Sequence, residues 1–160
     1  SPALRESYFQ DLLAARAEGR NLLTEKYAYM MESTDPEYFD TIRDQLPAVD
    51  QQKKDFINAL CDIEVSMRED MNDQYPYLLS QARFTHSLED EKDDTSFETY
   101  LRGELMTYSD GTLYLYGQMV LDMVQKNENL IEKILMNTVK AYGYASLEDA
   151  NKFIMDSEKK

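Results

Sequence analysis

Apolar residues recur at helical spacing along almost all of this 160-residue chain, and helix-breaking residues fall between those runs. Leu4, Tyr8, Leu12 and Ala15 mark a first helix that stops near Gly19. Asn21 opens a second, with Leu22, Tyr29 and Met30 on one side. Asp35-Pro36 restarts a short helix and Pro47 ends it. Phe56, Leu60, Ile63, Met67 and Met71 place a long helix over roughly 50–74, closed by Tyr75-Pro76. Residues 77–94 keep no period and form the one long loop. Helices follow over roughly 96–108, 110–126 and 129–142, and a last one ends near Ser157. Leu113, Leu115, Met119, Val120, Leu121 and Val124 almost encircle the helix at 110–126, so it should lie centrally or bury a face in an oligomer. No strand pattern competes. The expected fold is an all-α single domain over 1–160 with about seven helices.

One charge sits where that patterning forbids an isolated one. In Thr95-Ser-Phe-Glu-Thr-Tyr-Leu-Arg-Gly-Glu-Leu105, Thr95 and Glu98 have capping-box spacing, which predicts a helix start at Thr95. Phe97, Leu101, Leu105 and Tyr108 then form one apolar stripe, and Glu104 projects into its middle. An ionised carboxylate in apolar contact costs several kcal/mol unless paired. Lys26 poses the same problem between Leu22 and Met30, so the two are expected to pair. That pair either lines a polar cleft or serves packing alone.

Charge excludes one class of partner. The formal net charge is −14, from 31 acidic against 17 basic side chains, and no local basic cluster offsets it. Such a surface repels phosphate backbones, so no nucleic-acid role is expected. The single cysteine, Cys61, excludes an internal disulfide framework and a multi-thiolate metal site, and reads as a small core residue. No apolar run reaches the roughly 18 residues of a membrane span, and no signal peptide is visible. A cytoplasmic setting without membrane contact is the default expectation, although a chain opening on Ser1-Pro2 at a helix start is compatible with an export signal upstream.

An internal echo runs through the map. Shifted by 108 positions, Tyr8 meets Tyr116, Gln10 meets Gln118, Leu13 meets Leu121, Asn21 meets Asn129 and Leu22 meets Leu130. The turn residues Gly19 and Asn127 coincide as well. Two helical-hairpin repeats are therefore expected: one over about 1–46, truncated at its start, and one over about 50–160.

The loop holds the remaining candidate chemistry. His86, in Arg83-Phe-Thr-His-Ser-Leu-Glu-Asp90, is the only histidine and so the only side chain whose ordinary titration lies near neutral pH. Arg83 can clamp an anion, Glu89 or Asp90 can orient His86, and the helix start at Thr95 offers amides that favour anions. The plainer alternative is a solvated loop histidine. A di-iron bundle needs two Glu-x-x-His pairs, and the acidic residues Asp90, Asp93 and Asp94 do not fit a calcium loop, so no metal and no cofactor are expected. The methionines Met106, Met119, Met123 and Met136 read as core filling or as a face for a partner helix.

Three stretches carry a family resemblance. They are Asp94 to Leu105 with Thr107-Tyr-Ser-Asp110, Gly19-Arg-Asn-Leu-Leu-Thr-Glu-Lys-Tyr27, and Tyr142-Gly-Tyr-Ala-Ser-Leu-Glu148. Along nearly its whole length the chain resembles the bacterial domain of unknown function 4125. The resemblance implies a cytoplasmic helical domain, found alone or beside a nucleotidyltransferase-like domain, with no assigned activity. It also implies that Arg20, Asn21, Glu25, Lys26, Glu98, Arg102 and Glu104 belong to the family signature, without giving them roles. The family pattern begins earlier, with a helix and a Gly-Gly-Arg-Ala-Ser-Cys-Gln loop that this chain lacks and that resembles Arg83 to Asp90 in placement. A family centre built on that cysteine would leave this chain inactive.

Together these readings give a binding or interaction module with a cleft between the repeats, lined by Lys26, Glu104, Arg83 and His86. Glu98 and Arg102 complete the expected ligand-binding set, and no catalytic residue is assigned. The partner is a small anionic ligand or a nucleotidyltransferase-like domain, with a homo-oligomer open. An enzyme acting on a small anionic or nucleotide-like ligand, with Arg83 as clamp and His86 as acid or base, is the first alternative. A purely structural accessory domain is the second.

Overall fold

A computed structural model describes residues 1–160, and it contains helices and turns with no strand. Nine α-helices follow one another: α1 (Pro2–Ala17), α2 (Leu22–Thr34), α3 (Pro36–Ile42), α4 (Gln51–Gln74), α5 (Pro76–Ser80), α6 (Phe97–Met106), α7 (Asp110–Gln125), α8 (Leu130–Ala141) and α9 (Leu147–Glu158). The count exceeds the expected figure of about seven, and the helix with no counterpart in the sequence reading is α5, because Pro76 starts a helix as well as ending α4. Pro36 and Pro76 occupy first-turn positions, where the missing N–H costs nothing, and each opens a short helix of its own. The expected long loop thereby yields α5 at its start and a 3₁₀ turn at Ser87–Glu89.

The central helix is α4, which packs against α6, α7 and α8. Ile57, Leu60 and Cys61 meet Leu101, Leu105 and Met106 of α6 and Leu113 and Val120 of α7. Farther along, Met67 and Met71 meet Leu79 of α5 and Ile131 of α8. Val139, Leu147 and Ala150 form a third cluster, joining α8 to α9. Burial pushes the Cys61 thiol up to about 12, as expected of a core cysteine. The helix at 110–126 is not encircled by protein: Tyr114, Leu121 and Val124 of α7 are 60%, 48% and 47% exposed.

The hairpins α1–α2 and α7–α8 are built alike. The first helix of each is 16 residues long and is capped by a serine, Ser1 or Ser109. Each then turns through one left-handed residue, Gly19 at φ 71° and Asn127 at φ 59°. Those are the two residue types that tolerate that region most readily. An asparagine side chain, Asn21 or Asn129, caps the second helix of each. α1 also lies against α7, where Ser7 and Thr112 hydroxyls meet at 2.6 Å and Asp11 accepts from the Ser109 amide.

A glycine sets how closely α2 approaches α6. A Cβ on Gly103 would fall 2.6 Å from Met30 Cγ and 2.9 Å from the Lys26 carbonyl oxygen. Methionine can yield, but the backbone carbonyl moves only if α2 moves. Gly103→Ala should therefore destabilise the fold by about 1–2 kcal/mol, overpacking outweighing alanine's better helix propensity. Urea unfolding would show it, and a variant as stable as the parent would refute this contact as the limit on approach.

Candidate functional site

The buried face of α4 carries two charged residues among its apolar ones. Ile57, Leu60, Cys61, Glu64, Met67, Arg68 and Met71 are all buried, at helical spacing. This face is rotated from the one expected, since Phe56 is 38% exposed and Ile63 only half-buried. Placing the stripe on Phe56 and Ile63 put Glu64 and Arg68 outside it, so both were missed. The signal that singled out Glu104, a charge within a helix's apolar face, would have found them.

Arg68 is the unusual one. It is 7% exposed, its guanidinium lies 4.8 Å from the Phe97 ring centre, and one Nη donates to the Arg83 carbonyl. Its Nε has no acceptor, and no carboxylate lies within 4.0 Å of the guanidinium. Burial, and then the positive charge of Arg83, hold its pKa below the ordinary guanidinium value. Arg83 likewise has no carboxylate partner; it stacks 4.7 Å from the Tyr100 ring centre and donates to the Thr95 carbonyl. Both arginines line one hollow of about 570 Å³ between α4, α5 and the loop.

His86 lines the same hollow. Its Nε2 lies 3.0 Å from Glu69 Oε1, so Glu69 of α4 orients it rather than the expected Glu89 or Asp90. Glu89 accepts from the His86 backbone amide instead. The Asp90 carboxylate is turned away, accepting from the Ser33 and Thr99 hydroxyls and the Ser96 amide. Burial alone would raise the Asp90 carboxyl, but these donors outweigh it and hold it below the ordinary value.

The start of α6 does not offer free amides. Its cap is Ser96, one residue beyond Thr95, with its hydroxyl accepting from the Thr99 amide. The Phe97 and Glu98 amides donate to the Phe84 and Thr85 carbonyls of the loop. The expected anion site there is removed because the loop consumes the donors that it needed. Glu98 accepts from the Ser87 amide at 2.7 Å and from Arg102, which also donates to Asn58. Burial opposes the Glu98 charge, yet the Ser87 and Arg102 bonds hold its carboxyl below the ordinary value. These two signature residues thus tie the loop to α6 and α4.

Lys26 and Glu104 do come together, with Nζ 3.4 Å from Oε2. The lysine is buried, and the Glu104 side chain is 27% exposed. A shorter bond, 2.9 Å, joins Nζ to the Tyr100 hydroxyl. Burial works against the ammonium, but Tyr100 and Glu104 outweigh it and keep its pKa above the ordinary lysine value. This pair lines a second hollow of about 600 Å³, with Tyr8 and Arg20. Arg20 is held by Glu25 at 2.9 Å. The expected single cleft is therefore two hollows, and Tyr100 touches the cation on each side, Lys26 and Arg83. In the Lys26 hollow Lys26 and Arg20 each have a carboxylate; in the Arg68 hollow neither arginine does.

A family model described as "Protein of unknown function (DUF4125)" matches residues 1–152. The chain belongs to this family. It matches no curated protein and no solved structure. The family match spans all nine helices except the last residues of α9, and so takes in both hollows. No helix is long and apolar enough to cross a membrane, and no group of three or more His, Cys, Asp or Glu side chains is placed to hold a metal ion.

Proposed function

We propose that this domain is a binding module for a small anionic ligand, received in the hollow lined by Arg68, Arg83 and His86. One observation carries the reading: Arg68 is a buried guanidinium without a counter-ion at the wall of a ligand-sized hollow. A buried cation costs several kcal/mol unless an anion compensates it, and a paired guanidinium fork suits oxyanions. The Lys26–Glu104 pair fits the packing alternative, since its charges and Tyr100 satisfy one another. The matched hairpins support a duplicated origin in which only the second copy is preceded by the loop that builds the hollow.

Phosphate should raise the melting temperature saturably against chloride at matched ionic strength. At 100 times Kd the gain is about 2.7 kcal/mol, or ~5–10 °C for a chain of this size. Arg83→Ala, an exposed position, should fold and lose most of that response. A rise that never saturates, or an equal rise in Arg83→Ala, would reduce the effect to general salt stabilisation and sink the proposal.

The His86–Glu69 contact at the same hollow favours one second reading, catalysis on a bound phosphate ester with His86 as acid or base. Turnover of p-nitrophenyl phosphate that disappears in His86→Ala, with phosphate binding kept, would support it. Its absence leaves the binding module.

A further inference from the structure

The hollow beside Arg68 is much larger than an oxyanion. Its volume of about 570 Å³ lies in the range of sites that take whole small molecules. Phosphate held by the two guanidiniums would leave most of it to the rest of a ligand. The lining away from the arginines is polar and of mixed hydrogen-bonding type. Glu69, Asn72 and Asp73 stand at i, i+3 and i+4 on one face of α4, and Ser80 joins them from the end of α5. Asp73 has no ion-pair partner, and no side-chain hydrogen bond engages Asn72 or Asp73. Carboxylates alone would suit an ammonium group. Carboxylates beside a carboxamide and a hydroxyl suit groups that both donate and accept, which is the chemistry of alcohols. The flat groups of the lining are Phe84, His86 and the two guanidiniums. Glu69 holds His86, and the guanidiniums already lie against Phe97 and Tyr100, which leaves Phe84 as the one unengaged ring for a nucleobase. The same carboxylates repel a chain of several phosphates.

We infer that the ligand is a phosphorylated sugar or comparable polyol monophosphate, its phosphate on Arg68 and Arg83 and its hydroxyls on Asp73, Asn72 and Glu69. The inference rests on reading this hollow as an anion site. A net charge of −14 opposes approach to an anionic bilayer, so the free sugar phosphate is the source rather than a lipid headgroup.

Calorimetric titration of the full chain tests it with inorganic phosphate, glucose, glucose 6-phosphate, ribose 5-phosphate, phosphoethanolamine, AMP and vesicles containing phosphatidylinositol 4-phosphate. At least one sugar phosphate should bind ten-fold or more tightly than inorganic phosphate, phosphoethanolamine, AMP or the vesicles. Asp73→Ala, an exposed substitution, should erase that margin, with inorganic phosphate, relieved of one neighbouring negative charge, binding at least as tightly as to the parent. Equal affinity for inorganic phosphate, or a preference for AMP, phosphoethanolamine or the vesicles, would overturn the sugar phosphate and leave the anion site standing. Binding of none of the phosphates would overturn both.

Discussion

Glu64→Gln should stabilise the protein by about 3 kcal/mol at pH 8 and leave it unchanged at pH 4. Glu64 is 2% exposed in the middle of α4, and no cation, Arg68 one turn along included, lies within 4.0 Å of its carboxyl; its partner is Tyr116, whose hydroxyl sits 2.8 Å from each carboxyl oxygen. Burial pushes the carboxyl from 4.5 up to about 7, against the lowering effect of the Tyr116 bond. A neutral carboxyl satisfies both contacts, donating from one oxygen and accepting at the other. An ionised one must share a single phenolic hydrogen. The folded state thus holds this proton more tightly than the unfolded chain does. Stability falls as pH rises from about 4.5 to about 7, and beyond that the penalty is constant. A difference of roughly 2.5 pH units corresponds to about 3 kcal/mol. Glutamine reproduces the neutral pattern, with its amide donating to Tyr116 and its carbonyl accepting. Urea unfolding from pH 4 to pH 8 measures the effect. A stability difference independent of pH, or a loss at pH 8, would show that the folded state does not raise this carboxyl's pKa.

Arg68→Met should separate stability from binding. In phosphate-free buffer the variant should gain about 2 kcal/mol, because a buried cation without a counter-ion is replaced by an apolar chain of similar length. Methionine keeps a favourable contact with the Phe97 ring, which offsets part of what the guanidinium loses there. The same variant should lose the response to phosphate. A residue retained at a cost to the fold is one whose use lies in what it binds. The opposite result, lower stability with the phosphate response intact, would make Arg68 a structural anchor for the Arg83 carbonyl.

Helical spacing was enough to place eight of the nine helices in the sequence, because each buries a stripe and the breakers lie between stripes. It did not place α5, a five-residue helix too short to show a period and visible only through Pro76. It also left the α4 stripe off by about one residue. Periodicity fixes a face only to within its flanking positions, and Phe56 and Ile63 are large enough to imitate a core edge. That small rotation hid Glu64 and Arg68. The Lys26–Glu104 contact was legible because both charges lie at the centres of their stripes. The separation of that pair from Arg83 and His86 was not, since it depends on how residues 81–95 fold back over α6, where no periodic signal exists.

The way those residues fold back also governs how the molecule opens. The Phe97 and Glu98 amides are bonded to loop carbonyls rather than to their own helix. They should therefore trade hydrogen for deuterium whenever residues 81–95 lift away, while amides deeper in α6 stay protected. Two neighbouring backbone protons thus report on the Arg68 hollow's own breathing, and a bound ligand would be expected to slow their exchange together.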